Sequence, residues 1–538
     1  VTLGSLEFIK GRSLPSIDMY FAEKPYLKFI ESAEVASITG GKVPSELPQF
    51  DFIIMNPPFT RATGRGGKKG GGLFGFIPDE STRQTILKEY EKLRERVRQK
   101  LQALAPPYIE KELCSIGQAG EGLLFLYLAS ELVKEGGKIA FVLPKSLLTG
   151  ISWFLARYLL LKRFHLEHIV VSYDAKNGYN FSESTGLSEA LIVARRRNIP
   201  EKDENTIITI LLRKPTTSLE ARALAFKILS SKGSEYIEVN GSKAYIDRVS
   251  RDKLIERIVN WGSLLAFPDP SLTKIANEVI DGRIFNTKLP MIRLGEMVTS
   301  GIVTIGIDGH RFNDIFQVVK GQPPGSYPAV YGGEEEIRSR MLISPNARVL
   351  PRKIQTGKKI FENFSGNLLV PARIQVSTAH AISLYCDEPV LSNIFYALKF
   401  KTYENATSRL KALCLWFNTT WGVLSVLANR CETKGGWIQH RVNHWKLQPV
   451  LDVTKLNEDE VEKLATIFDR YCRKDLRRLP QQFDPDNIDP IRKRIDEEFL
   501  ETLGVKPEGE SLRDLYKLVY QNLSIWLGKN FTQEKNVE

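Results

Sequence analysis

The run Asp51-Phe-Ile-Ile-Met-Asn-Pro-Pro-Phe59 is the part of the chain whose residue types and spacing are suited to chemistry. An exocyclic amino group on a purine has its nitrogen lone pair delocalised into the ring. A site that makes it nucleophilic must hold the nitrogen and draw on its hydrogens. Asn56 can offer a side-chain oxygen and Pro57 a backbone carbonyl, two acceptors for two N–H groups. Pro58 fixes the turn, and Phe59 presents an aromatic face on which an extruded base would stack, worth about 1–3 kcal/mol. Such a base must leave the duplex at a cost of roughly a few kcal/mol, which stacking partly offsets. No conventional general base is assigned, since positioning supplies much of the acceleration and the surplus proton can leave to solvent. A plain strand-terminating turn is the competing account.

The elements that must position this turn are legible around it. Phe-Ile-Ile-Met is a short apolar run with β-branched residues, stopped by two prolines, as a buried parallel strand would be. Thr60 to Gly75 reads as a basic glycine-rich loop in which Arg61, Arg65, Lys68 and Lys69 are candidate DNA-phosphate contacts. The loop lacks a Gly-Lys followed by Ser or Thr, which excludes a nucleotide-hydrolysing phosphate loop. Ser81 to Leu104 has apolar residues three or four apart and predicts an amphipathic helix. Leu123 to Lys134 predicts a buried helix, Gly136-Gly137 its C-terminal stop, and Lys138 to Leu143 a strand. Ser152 to Lys162 is predicted helical; His168 to Ser172, Ala190 to Ala194 and Thr206 to Leu212 are predicted strands. The alternation argues for a mostly parallel sheet with helices on both faces. Leu3 to Ile9 and Tyr26 to Glu34 are weaker elements, strand or short helix and helix respectively.

Glycine- and proline-rich short segments after about Asn286 predict a β-containing second domain. Amphipathic patterns over Glu460 to Leu476, Ile491 to Leu503 and Leu512 to Leu527 predict helices at the end. The expected division is therefore 1–285, 286–452 and 453–538. Lys434 to Lys446 mixes aromatic and basic residues, and Lys434 and Arg441 are candidate DNA contacts there, against ordinary aromatic core packing. His440 and His444 with Cys431 have a spacing that suggests metal, but a fourth ligand is not evident and no metal is assigned.

Composition bounds these readings. The chain has 538 residues, a formal net charge of +12, 42% hydrophobic and 26% charged residues. That is a folded class with room for several cores and a charge balance suited to a polyanion. Five scattered cysteines without a CxxC pair, no signal pattern and no apolar run of membrane-spanning length lead to the expectation of a cytoplasmic protein with no membrane partner.

The segment Asp51 to Phe59 resembles the catalytic motif of the N6-adenine DNA methyltransferases of restriction-modification systems, of the modification-subunit or fused type. Glu121 to Leu148 is similar to that family's following helix, strand and proline-containing loop, and Phe181 to Arg195, FSESTGLSEALIVAR, resembles the end of its catalytic domain. The resemblance spans about Asp51 to Arg213. It implies an α/β fold: a partial Rossmann-like class I methyltransferase sheet, then a β-containing target-recognition domain and a helical C-terminal region. It further implies that Asn56, Pro57, Pro58 and Phe59 are the catalytic residues, that S-adenosyl-L-methionine is the cofactor, and that double-stranded DNA is the substrate. Asp51 and Asn56 are candidate neighbours of the cofactor. The family's Asp-Pro-x-x-Gly-x-Gly cofactor motif has no counterpart between Val1 and Phe50. The expectation is an N-terminally incomplete catalytic domain, with a separate subunit supplying the cofactor half as the alternative, and a restriction or specificity subunit as a further partner. Weak or no cofactor binding by this chain alone follows. The competing functions are amino-group methylation of RNA or of a protein glutamine, and a catalytically incomplete DNA-binding specificity protein.

Overall fold

The computed structural model describes residues 35–36, 42–43, 49–57, 80–105, 107, 109, 111–116, 119–182, 187–197, 205–298, 310–332, 338–400, 406–507 and 511–529. They fall into two compact units. One holds the described residues up to Ser172 and Tyr179–Trp261, the other Tyr173–Gly178 and those from Gly262 onward.

The first unit is built on β1 (Phe50–Met55), a strand that must stop at Pro57 because proline has no N–H for the ladder. Helix α1 (Glu80–Leu104) buries Val97 and Leu101. Helix α2 (Glu121–Leu132) is apolar on nearly every side and buries ten of its residues, from Glu121 to Leu132. It leads directly into β2 (Val133–Pro144), which lies parallel to β1 with Ile53 opposite Ile139 and Met55 opposite Phe141. Helix α3 (Phe154–Arg163) precedes β3 (Phe164–Ser172), followed by β4 (Glu189–Arg196) and β5 (Asn205–Arg213). Helix α4 (Ser218–Ser230) and the strands β6 (Glu235–Val239) and β7 (Ser242–Ser250) complete the unit.

The seven strands are ordered β1-β2-β4-β3-β5-β7-β6. Only β1–β2 and β3–β5 pair in parallel; the other four neighbouring pairs are antiparallel, although five of the seven strands point the same way. The expected mostly parallel sheet is thus corrected to a mixed one. Alternation of apolar runs carries no sign of strand direction, and both reversals are made without a crossover helix, which an antiparallel neighbour does not need. The β6–β7 reversal is a two-residue turn, with Asn240 at φ 49° and Gly241 at φ 84°, the backbone that an Asn-Gly hairpin turn requires.

A second correction concerns Gly136-Gly137. The helix ends earlier, at Leu132, with Val133 already extended, and the glycines lie inside β2. A β-branched valine goes into the extended region readily, so no glycine cap is needed. Gly137 has a different task. A Cβ there would sit 2.9 Å from the Asp51 carbonyl oxygen and 2.9 Å from Val133 Cγ2, so glycine is what allows β1 to approach.

In β2 alternate residues Ile139, Phe141 and Leu143 are buried completely. Beneath α4, Leu224 packs with Leu211, Ile237, Ala244 and Ile246. On β1 the alternation is lopsided: Ile53 is buried, while Phe52 and Ile54 are 69% and 81% exposed. Among the described residues β1 is the outermost strand of its sheet.

The second unit opens with α5 (Pro270–Ile280), capped by Asp269 and started by proline. Its main sheet runs β8 (Phe316–Val319), β10 (Ala347–Pro351), β9 (Tyr327–Val330), β12 (Leu384–Ser392), β11 (Gly366–Pro371), β13 (Phe395–Leu398), with Leu342–Ile343 also paired to β12. A smaller sheet joins Arg373–Gln375, Trp437–Gln439 and Glu432–Lys434. Buried helices α6 (Ala406–Phe417) and α7 (Thr420–Ala428) precede α8 (Glu458–Tyr471), α9 (Pro490–Thr502) and α10 (Ser511–Leu527). The Asn457–Glu460 capping box starts α8, and Asp489 caps α9. Among the described residues no single helix is long and apolar enough to cross a membrane.

Candidate active site

The end of β1 is where Asn56 and Pro57 lie, at the carboxyl edge of a strand in an α/β sheet, the edge at which such sheets place ligands. Asn56 is exposed and Pro57 buried. Pro57 approaches α2 at Gly122: a Cβ built on that glycine would lie 3.0 Å from Leu143 Cδ2, 3.1 Å from the Trp153 ring and 3.8 Å from Pro57 Cγ. The helix begins at Gly120, whose φ of 67° suits glycine at the N-cap. The proline is therefore lodged against the helix start while the asparagine faces outward.

Asn56 is held from a distant part of the chain. Its Nδ2 donates to Ser182 Oγ at 3.0 Å. Ser182 belongs to a turn that is fastened to the sheet by Glu189, the first residue of β4, which is completely buried. Glu189 Oε2 accepts the backbone N–H of Phe181 at 2.6 Å and of Ser182 at 2.8 Å, and the Glu189 N–H donates to the Tyr179 carbonyl at 3.0 Å. Lys214 Nζ stands 6.0 Å from the centroid of the Phe181 ring. Neither Ser182 nor Glu189 stands out in the sequence as a site residue.

The other expected residues are placed as follows. Pro58, Phe59, Arg61, Arg65, Lys68 and Lys69 lie outside the described residues. Asp51 sits at the opposite end of β1 from Asn56, five positions away and about 16 Å along an extended strand. Its exposed carboxylate accepts from Lys134 Nζ at 3.1 and 3.2 Å. The structure places Asp51 and Asn56 at opposite ends of β1. Lys434 ends the strand Glu432–Lys434, and Arg441 immediately precedes the short helix Val442–Lys446, its N–H donating to His444 Nδ1 at 3.3 Å. Of the aromatics beside them, Trp437 is 44% exposed, whereas Trp445 is fully buried and donates to the Pro371 carbonyl at 3.0 Å. His440 is buried against Trp445, with ring centroids 4.8 Å apart. Burial, then the nearby His444 and Arg430, pushes its pKa down to about 3, so the ring is neutral. Among the described residues no group of three or more His, Cys, Asp or Glu is placed to hold a metal ion.

No protein-family model matches the sequence, and no curated protein is similar to it. Among solved structures, the type IIG restriction endonuclease BpuSI is 15% identical, covering 90% of this chain and 55% of its own, at a TM-score of 0.32. The type IIL restriction-modification enzyme MmeI in complex with DNA is 11% identical, covering 88% and 57%, at 0.37. The type I restriction-modification methyltransferase subunit from Streptococcus thermophilus is 14% identical, covering 41% and 38%, at 0.24. This chain spans little more than half the length of the first and second, and less of the third. TM-scores this low establish neither a shared fold nor a shared function.

Proposed function

We propose that the chain supplies the amino-group-binding part of an S-adenosylmethionine-dependent methyltransferase acting on adenine N6 in DNA. The observation that carries this is that Asn56 and Pro57 follow the carboxyl end of β1 directly, with Pro57 buried and Asn56 exposed. An amide oxygen from Asn56 and the carbonyl of Pro57 accept the two hydrogens of an adenine amino group, localising the lone pair on nitrogen. The cofactor, when bound, supplies the methyl group. The described residues hold and orient the acceptor nitrogen, and they supply no recognisable cofactor contact. The sheet of the first unit is then part of a Rossmann-like methyltransferase sheet. Its β1 edge, with Phe52 and Ile54 uncovered, suits a further strand and covering helix that bring the cofactor cradle.

In this reading the net charge of +12 serves duplex binding. Residues 286–452 read the target sequence, with Lys434 and Arg441 among the contacts. Residues 453–538 form the helical C-terminal region, and Arg61, Arg65, Lys68 and Lys69 meet DNA phosphates. The protein purified from its own cells, with any subunit that supplies the cofactor half, should transfer radiolabelled methyl groups to duplex DNA. Asn56→Ala should lower that transfer by at least about a hundredfold, the scale seen for losing one aligned transition-state hydrogen bond. Equal transfer by wild type and variant contradicts the proposal.

A further inference from the structure

The bond between Asn56 and Ser182 has a consequence for which end of the asparagine amide meets the substrate. The two ends of an amide are close to the same size and opposite in hydrogen-bonding sense, so an unrestrained asparagine can present a donor where an acceptor is needed. An amino group arriving with two hydrogens repels Nδ2 and attracts Oδ1. Ser182 Oγ accepts from Nδ2 at 3.0 Å and so gives the amide nitrogen a partner within the chain, leaving Oδ1 for an incoming amino group. Asn56 is exposed, and among the described residues Ser182 is its side-chain hydrogen-bond partner. Ser182 itself is fixed by a completely buried carboxylate on a central strand. Glu189 Oε2 takes the N–H groups of both Phe181 and Ser182, at 2.6 and 2.8 Å, while the Ser182 carbonyl accepts from Asn180 Nδ2 at 2.6 Å. The two bonds to Glu189 Oε2 lie out of water, where hydrogen bonds hold a turn firmly.

We infer that Ser182 and Glu189 are positioning residues for the methyl-transfer site, Ser182 setting the Asn56 amide with its oxygen toward the substrate amino group and Glu189 holding Ser182 in place. The inference rests on the function proposed above and adds to it the two residues that orient its acceptor. They lie 126 and 133 positions from Asn56 in the sequence.

The test combines kinetics of the natural protein on duplex DNA with nuclear magnetic resonance of asparagine-selectively 15N-labelled protein, in which Asn56→Ala identifies the Asn56 side-chain signal. Ser182→Ala should lower kcat about tenfold, the scale of one lost hydrogen bond to an aligned group, with KM for DNA changed less than about twofold. The Asn56 amide protons should also exchange faster with solvent, and Ser182→Thr should restore both properties. Glu189→Ala should reproduce the Ser182→Ala behaviour, and Glu189→Gln, which keeps an acceptor oxygen, should retain most of the wild-type rate. Melting curves identify any variant that merely unfolds. A Ser182→Ala protein with wild-type kcat and an unchanged Asn56 signal overturns the inference while wild-type transfer leaves the proposed function standing. A wild-type protein that transfers no methyl group to DNA removes the function and this inference with it.

Discussion

Arg157 offers the sharpest test of how the first unit is held together around its site. Its guanidinium is completely buried on α3. Nε donates to the Ile258 carbonyl at 2.7 Å, Nη1 to those of Leu147 at 2.6 Å and Gly150 at 3.0 Å, and Nη2 to that of Val259 at 2.8 Å. Leu147 and Gly150 lie in the turn just after β2, so one side chain ties this turn to the 258–259 segment. Substituting Arg157→Met keeps the aliphatic stem and removes every donor. A hydrogen bond to a charged group contributes about 1.5–3 kcal/mol, and a buried acceptor left alone costs about 1–3 kcal/mol. Four such bonds share one desolvation penalty, and the freed carbonyls can relax toward water, so the expected net loss is about 4 kcal/mol, near the upper end for single substitutions. In a unit of roughly 250 residues each kcal/mol moves the melting temperature by about 2–4 °C, giving a drop of about 8–16 °C. Calorimetry resolves the transition, and hydrogen-exchange mass spectrometry of peptides from β2 and β3 assigns it to this unit. Arg157→Lys, with three donors on a single point, should fall between the two. A drop below about 3 °C for Arg157→Met would show that water replaces these bonds without loss, refuting the reasoning.

Two further outcomes follow from the structure. His440 is neutral when folded, with a pKa of about 3 against an ordinary 6.5. Above pH 6.5 neither state carries the proton. As the pH falls from 6.5 toward 3 only the unfolded chain takes it up, so stability declines, by about 2 kcal/mol between pH 7 and pH 5. His440→Phe should remove that part of the slope, read from urea midpoints at the two pH values; an unaltered slope places the proton elsewhere. Gly137→Ala should destabilise the β1–β2 pairing by about 1–3 kcal/mol, since its Cβ would meet the Asp51 carbonyl at 2.9 Å. Gly136→Ala, with no atom near but a φ of 77°, should cost about 1 kcal/mol from backbone strain alone. Equal urea midpoints for wild type and Gly137→Ala would show that the strands separate freely at this point.

What the sequence made legible was local. The stop at Asn56-Pro57, the α1 pattern, the strands β2 to β5 and the amphipathic patterns of the last helices each depend on residues within a few positions of one another. Strand direction does not. Nothing in Glu189–Arg196 or Ser242–Ser250 announces that these two strands run against the others, because an apolar run looks alike in either direction. The Asn240-Gly241 dipeptide between alternating segments is the local signal of the β6–β7 hairpin. At the proposed site, Asn56 and Pro57 are legible because the chemistry proposed for them is written in consecutive residues. Ser182 was not, since its bond to Asn56 spans 126 positions. Glu189 was hidden differently: a carboxylate at the head of an apolar strand looks like a solvated end, and only the fold shows it buried beneath two backbone N–H groups.

On the proposed function, Asn56 and Pro57 hold an adenine amino group. The most direct measurement is digestion of duplex DNA to nucleosides after reaction with the natural protein and isotopically labelled S-adenosylmethionine, followed by mass spectrometry. Labelled N6-methyldeoxyadenosine from the wild type, and its loss with Asn56→Ala in a protein that melts like the wild type, is the expected result. Label found in a different nucleoside, or the same yield of N6-methyldeoxyadenosine from the Asn56→Ala protein, would contradict it.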